Sequence, residues 1–387
     1  MLQALKCHLQ GELFRVDGEP DWCGIFREAW IQSVTLPLFD AVQPLQAQIP
    51  QVIWQVTEKQ ARKLAVNNMQ ISYAQQNLTR CLEQAGIEYV ILKGEASAAY
   101  WPKPELRQLG DVDFIVPKTD REQTICELQS AGFTREGEEN GHHIGLIFGR
   151  VHLELHTRLA GRPHKDKGQL VDAYMQQLYT QRKTAGSCSV PADEHQAVIL
   201  LLHMQHHLIE QGIGLRHVFD WAGFMDKTRD AAFWEEKTLP LLKKLGLMRF
   251  TAALTKMTAV YFGSYCPQWA QSIPDSLAEA LMEDILAGGN FGRKNAERSR
   301  SANMMPSWEH QDQKEGKLKM LYRTLKRATV QTHPKLVNKP VLRFFAMTGK
   351  AVRYLCLRCV GKRPSLLKAA SHVDERRNLY DQLEIYD

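Results

Sequence analysis

The residues with the clearest chemical potential are three carboxylates. Asp111 and Asp113 flank Val112 at the start of an apolar run, Asp111-Val112-Asp113-Phe114-Ile115-Val116, which Pro117 closes. Side chains alternate across a strand, so the two aspartates share one face. Like charges side by side on a sheet are unfavourable unless a cation lies between them. A divalent ion of the Mg²⁺ type, held by one or two carboxylates and substrate phosphates, meets that need; a solvated pair at a strand start is the plainer alternative. In Val151-His152-Leu153-Glu154-Leu155-His156 the alternation is strict, with His152, Glu154 and His156 on the face opposite Val151, Leu153 and Leu155. If the two strands pair, Glu154 joins Asp111 and Asp113 on one edge. Three convergent carboxylates can hold two Mg²⁺ or Mn²⁺ ions ~4 Å apart, which serves in-line displacement at phosphorus.

Other groups stand near enough in sequence to assist. Lys93-Gly94 ends the β-rich run Tyr89-Val90-Ile91-Leu92, and a glycine there lets the backbone approach a ligand closely. Lys93 and Arg107 are candidate phosphate contacts; the structural alternatives are an ordinary turn and a pair with one of the carboxylates. His152, Glu154 and His156 also admit a transition-metal reading, a hydrolase centre on Zn²⁺ or Fe²⁺. It ranks below the Mg²⁺ reading, and for His152 alone a hydrogen bond to a loop is preferred. Further along, His203 and His207 are four residues apart on one helix, with His206 between them. They are expected to line a cleft; a metal site would need His217 or Asp220 as a third ligand. Arg216 and Asp220, also four apart, are expected to form a helix ion pair, with a role in gripping substrate as the sharper alternative.

The elements that must position these groups can be read from periodicity. Up to about residue 86 the chain reads as helical, with a helix opened near Asp21 and a long one from Gln51 to Ala85 that uses Leu64, Met69, Ile71, Leu78 and Leu82. Gly86 stops it in the position helices favour. Residues 87–158 read as a small mixed α/β unit: the strands above, a helix from Thr119 to Ala131, and a hairpin joining His143–Phe148 to Val151–His156 through Gly149-Arg150. After a polar stretch at 161–167 the chain is expected to be helical to about Ala287, and 293–316 is expected to be a loop. The fold class is therefore α+β. Its boundaries are expected at 1–86 (helical), 87–160 (catalytic core), 161–300 (helical) and 301–387 (basic, helical).

Leu92-Lys93-Gly94, Tyr100, Pro102, Arg107 and Gly110-Asp111-Val112-Asp113 resemble the signature of the uncharacterised bacterial nucleotidyltransferase family within the DNA-polymerase-β superfamily. Leu153-Glu154-Leu155-His156, His203, His207, Gly214-Leu215-Arg216, Asp220-Trp221 and Asn290-Phe291-Gly292 are similar to its later elements. The resemblance implies a polymerase-β-like palm. It implies that Asp111 and Asp113 bind both metals, and that Glu154 binds the catalytic one and helps take the acceptor's proton. It also implies transfer of a nucleoside monophosphate from an NTP, with ATP the expected nucleotide, to an acceptor the sequence does not name. Gly94 is followed by Glu95 where the wider superfamily has Ser or Gly, so a hydroxyl at the phosphates would have to come from Ser97. The contrary reading is an inactive nucleotide-binding or scaffold protein.

Composition bounds the rest. The 387 residues are 44% hydrophobic and 24% charged, normal for a folded protein, and no run of about 18 apolar residues occurs. The N-terminus lacks the pattern of a signal peptide, and the cysteines are scattered apart from Cys356 and Cys359, read as reduced thiols. A cytoplasmic location is expected. The net charge of +6 is uneven: residues 317–368 hold 14 Lys and Arg and no Asp or Glu. That segment interleaves basic and apolar residues, as in Val341–Met347 and Val352–Arg358. It is expected to pack on the acidic body, with contact to an anionic membrane surface next and nucleic acid, for which no motif is present, last.

Overall fold

The computed structural model describes residues 1–137, 143–163, 165–186, 188–294, 339–359 and 376–385, together with 322, 325, 326, 329, 330, 332 and 333. Helices α1 (Leu2–Gln10), α2 (Trp22–Ile31) and α3 (Thr35–Val42) come first, and α2 is capped by Asp21, whose carboxylate accepts the Gly24 N–H at 2.9 Å. Helix α4 (Gln51–Gln84) has 34 residues and is therefore about 50 Å long. Its apolar side is split between partners. Ala61 and Leu64 pack with Leu36, while Ile71, Ala74, Leu78 and Leu82 lie against the sheet. Met69 is exposed, contrary to the periodicity reading. Gly86 ends the helix with φ +66, a conformation that glycine adopts without strain.

The sheet runs β1-β2-β5-β4-β3. Strands β1 (Val90–Ile91) and β2 (Val112–Ile115) are antiparallel, and between them lies the short helix α5 (Glu95–Ala98). Helix α6 (Arg121–Ser130) then carries the chain back to β3 (Thr134–Glu136), β4 (His143–Phe148) and β5 (Val151–His156). Strand β5 is parallel to β2, with Val112 opposite Leu153, Asp113 opposite Glu154 and Phe114 opposite Leu155. The β4–β5 hairpin turns at Gly149 (φ +63) and pairs His143 with His156. Strand β3 was not expected: its Thr-Arg-Glu sequence is wholly exposed and carries no apolar alternation, so only backbone pairing to β4 defines it.

Past the sheet come α7 (Lys165–Met175), the hairpin β6 (Lys183–Ala185) and β7 (Cys188–Val190), α8 (Asp193–Glu210) and α9 (Leu215–Lys227). The sequence reading of unbroken helix to Ala287 is corrected here. Gly186 (φ +60) turns a hairpin whose Cys188 and Val190 are buried in the sheet's core. After a π-helical turn at Phe233–Thr238 follow α10 (Leu239–Leu245), α11 (Met248–Phe262), α12 (Gln268–Gln271) and α13 (Asp275–Gly288). These helices share one apolar core with α1 to α3, through residues such as Leu5, Phe26, Leu38, Trp221, Phe250 and Leu281. From residue 295 to 316 the expected loop lies outside the described residues. Helix α14 (Pro340–Cys359) carries the basic, apolar sequence, with Cys356 and Cys359 in its last turn. Among the described residues no helix is long and apolar enough to cross a membrane.

Candidate active site

Sheet register brings the carboxylates together. The parallel β2–β5 pairing sets Asp113 directly opposite Glu154, and His156 lies two residues further along the same face of β5. Ligand atoms of Asp113, Glu154 and His156 lie within 4.8 Å of one another, a spacing one cation could bridge. Asp111 sits just ahead of β2, two residues before Asp113, and lines the same cleft of about 590 Å³. Burial separates the carboxylates: Asp113 is 1% exposed, whereas the side chain of Glu154 retains 28% of its exposure. Asp113 is thus the fixed element and Glu154 the one open to an incoming group.

A buried carboxylate needs partners, and Asp113 has two. Lys93 Nζ donates to its Oδ1 at 2.7 Å, and His156 Nε2 lies 2.6 Å from the same oxygen. The other ring nitrogen of His156 faces the Arg158 carbonyl at 3.4 Å, so both nitrogens meet acceptors and the ring is an imidazolium. Burial opposes that charge, but the hydrogen bonds to Asp113 and Glu154 outweigh it and raise the His156 pKa to about 9. In the same balance, burial pushes Asp113 up, and Lys93 and His156 more than reverse it, holding the carboxylate well below its usual range. Burial likewise opposes the Lys93 charge, but Asp113 and Asp111 raise its pKa. Asp111 is the exception among the acids. The Asp113 charge, with burial second, raises its pKa. Three carboxylates against one ammonium and one imidazolium leave an anionic excess, and this oxygen-rich donor set fits a hard divalent cation.

The loop from Lys93 to Asp111 is fastened from both sides. Gly94 takes φ +65, and a Cβ there would come within 3.7 Å of the Asp111 carbonyl. Glu95 accepts from Gln75 of α4 at 2.7 Å, while Ser97 is buried and lines the cleft. Asn68 of α4 donates to the Arg107 carbonyl and accepts the Leu109 N–H, each at 2.9 Å. Opposite, Asp220 of α9 receives Arg107 Nε at 2.7 Å, Arg107 Nη2 at 2.8 Å and Trp101 Nε1 at 2.7 Å. This overturns the expected Arg216–Asp220 helix pair. The carboxylate is claimed by Arg107 across the domain, and Arg216 donates instead to the Gln108 carbonyl at 2.9 Å. Arg107, a candidate phosphate contact, is thereby engaged in a bidentate buried pair.

The facing wall comes from α8 and α9. His203 and His207 lie tilted at 4.3 Å between ring centroids, His217 stands 5.4 Å from His203, and Phe291 meets His207 edge-on at 4.9 Å. Lys93 Nζ lies 3.4 Å from His203 Nε2, which must then accept, so His203 is neutral. Burial drives the pKa values of His203 and His217 well down, helped by Lys93 and Arg216 respectively. Burial, then the charge at His206, lowers His207 to about 3. Of the two third ligands considered for His203 and His207, Asp220 is occupied by Arg107, while His217 stands beside the pair.

The hydrolase set of the sequence reading does not assemble. His152 is exposed on β5 and turns to Glu136 of β3 at 3.0 Å, away from the Asp113 cluster. One participant escaped the sequence reading altogether. His143, opposite His156 in the β4–β5 register, brings Nε2 to 3.5 Å from Glu154 Oε1. Its signal was available, since the hairpin turn fixes which residue faces His156.

Comparison with known proteins adds one match. A family model described as uncharacterised nucleotidyltransferase matches residues 18–263, from α2 through the sheet to the end of α11. No curated protein and no solved structure matches. With well over half its length matched, spanning the sheet and both walls of the cleft, the chain belongs to the uncharacterised nucleotidyltransferase family.

Proposed function

We propose that this protein transfers a nucleoside monophosphate from an NTP, with ATP the expected donor, to an acceptor hydroxyl or phosphate, releasing pyrophosphate from a polymerase-β-like palm. The observation that carries this reading is the parallel register that sets Asp113 against Glu154, two residues after Asp111. Asp111, Asp113 and Glu154 would hold Mg²⁺ or Mn²⁺, which supplies charge neutralisation for the nucleotide and acidifies the attacking hydroxyl. The protein's own groups do the positioning. Lys93 and His156 keep Asp113 ionised and in one rotamer. Glu154, whose side chain keeps 28% of its exposure, receives the acceptor's proton. Gly94 and Ser97 form the floor on which the phosphates lie, and Arg107 braces that floor through Asp220.

The test is pyrophosphate release from each of the four NTPs with Mg²⁺ or Mn²⁺, for wild type and Asp111→Asn/Asp113→Asn, with intact mass read from the same tube to catch self-modification. Metal-dependent release that vanishes in the double variant is the expected result. Absence of both release and nucleotide-induced thermal stabilisation in wild type, with either metal, would return the chain to the non-catalytic reading.

A second contact is proposed at α14. This helix exposes Val341, Phe344, Phe345 and Val352, its sequence carries Arg343, Lys350, Arg353 and Arg358, and it has no carboxylate. Exposed aromatic and aliphatic groups among cations suit an anionic lipid surface. Co-sedimentation with phosphatidylserine vesicles but not phosphatidylcholine vesicles, lost on Phe344→Asp/Phe345→Asp, is the expected outcome. Equal recovery with both lipids would remove this contact.

A further inference from the structure

One arginine of the cleft stands outside its ion pairs. Lys93 is committed to Asp113 and Arg107 to Asp220, each at hydrogen-bonding distance. Arg216 is different. Among the described residues no carboxylate lies within ion-pair distance of it; its Nη1 meets only the Gln108 carbonyl, and its Nε is shielded from solvent with no acceptor. Burial and the neighbouring charge of Arg107 lower its pKa to about 10, the opposite of the rise seen for Arg107. The charges of Asp220 and Asp111 offset part of this at longer range, without a direct ion pair; a buried guanidinium held so is costly, and a bound anion reduces the cost.

The groups around Arg216 are unsatisfied in the same way. Asn290 is 1% exposed; its Nδ2 donates to Ser33 Oγ at 2.8 Å, yet its Oδ1 has no partner. His217 Nδ1 and Gln108 Oε1 are also buried without partners, and all three residues line the cleft beside Arg216. Buried polar atoms are paired in the great majority of folded proteins, so four open atoms in one corner mark the place of a polar ligand. Phe291 holds that corner in shape: it adopts φ +54, a strained conformation for a side chain of its size, and packs on His207 and His217.

We infer that the corner formed by Arg216, His217, Asn290 and Gln108 is a phosphate-binding subsite. Arg216, and not Arg107, is the guanidinium that receives the phosphate. Its Nε and the free face of its fork offer two parallel donors to a phosphate, and the open amide oxygens of Asn290 and Gln108 accept from hydroxyls attached to it. The phosphate belongs either to the nucleotide's triphosphate or to a phosphorylated acceptor. The first of these sources rests on the transferase reading, whereas the subsite itself does not.

The experiment is calorimetric titration of the full chain with two kinds of probe. Orthophosphate and pyrophosphate are titrated without divalent metal into Asp111→Asn/Asp113→Asn, alone and combined with Arg216→Gln or Arg216→Lys. A non-hydrolysable α,β-methylene ATP is titrated with Mg²⁺ into wild type and Arg216→Gln. Unchanged near-ultraviolet dichroism establishes that each variant is folded, and the lysine variant, which keeps the charge, replaces the glutamine one if that fails. At least tenfold weaker phosphate binding in Arg216→Gln, partly restored in Arg216→Lys, is expected. If the ATP analogue weakens by a similar factor, the phosphate is the nucleotide's; if it does not, the phosphate is the acceptor's. Wild type that ignores the analogue while Arg216 still governs phosphate binding would sink the transferase reading and leave the subsite standing. Phosphate, pyrophosphate and analogue all indifferent to Arg216 would overturn the subsite.

Discussion

The two walls of the cleft solve the problem of buried polarity in opposite ways. On the sheet wall the charged groups other than Asp111 are paired with opposite sign: Asp113 with Lys93 and His156, and Glu154 with His156. On the helical wall His203, His207 and His217 are held uncharged by burial, and among the described residues no carboxylate lies within ion-pair distance of Arg216. A paired wall is rigid before any ligand arrives, because breaking one partner strands the other in a medium of low dielectric. An unpaired wall gains its partners only on binding. The sheet wall is thus suited to fix reacting atoms and the helical wall to recognise what they act on.

The largest expected effect breaks the sheet wall's chemistry. Asp113→Asn should lower pyrophosphate release by on the order of 10²–10³-fold or more, as loss of a preorganised charge at a reacting phosphate does. Arg216→Gln, on the other wall, should act mainly through the Michaelis constant of whichever substrate carries the phosphate. Steady-state kinetics separates the two; a pure Michaelis-constant effect in Asp113→Asn would contradict the division of labour.

Next in size is the brace between the walls. Arg107→Ala strands Asp220, which is 2% exposed, with only Trp101 Nε1 left to satisfy it. Loss of one partner from such a pair costs about 3–5 kcal/mol, or roughly 4–6 °C in melting temperature at this size. Arg216→Ala removes a cation that has no such partner and should cost far less. Melting curves of the two variants side by side test the claim, and equal losses would show that Asp220 serves both arginines.

A smaller effect, of opposite sign on the two walls, appears with pH. His156 has a folded pKa of about 9, above the ordinary value, so its stabilisation is complete below about pH 6.5 and lost as pH rises through 9. His207 has a folded value of about 3, so stability is complete above about pH 6.5 and falls as the unfolded chain gains its proton below that point. Each contributes a slope approaching 1.4 kcal/mol per pH unit within its window. Melting temperatures from pH 4.5 to 10 in EDTA should therefore show two limbs. His156→Gln should flatten the alkaline limb and His207→Gln the acid one. A single variant flattening both would mean that the walls titrate as one system.

The contrast between the walls is also the contrast between what could and could not be read from sequence. Strand alternation in Val151–His156 and the glycine turn at 149 gave the hairpin its true ends, and the face shared by Asp113, Glu154 and His156 follows from a period of two. Helix spacing likewise gave α4 its boundaries. The helical wall has no such local rule. Arg216 and Asp220 stand at helical spacing, yet Arg107, more than a hundred residues earlier, takes the carboxylate because its fork meets both oxygens. The identity of the unpaired arginine is set by tertiary packing, which spacing cannot show. The β6–β7 hairpin was missed for a related reason: three-residue strands are too short for periodicity to register.

The smallest effect is the most discriminating. Asp111, just ahead of β2, and Asp113, within it, are chemically identical, yet their environments push their pKa values apart. Asp113 is lowered by the cations that outweigh its burial, whereas Asp111 is raised by the charge of Asp113. Without metal, the folded state therefore favours the ionised form of one and disfavours that of the other. Asp113→Asn should destabilise the metal-free protein, while Asp111→Asn should stabilise it. Adding Mg²⁺ should stabilise wild type and neither variant, because each lacks a carboxylate that the cation requires. The pair of melting curves, with and without metal, thus assigns the anionic excess to a single residue. A drop for Asp111→Asn in EDTA would mean that the site is already balanced without a cation.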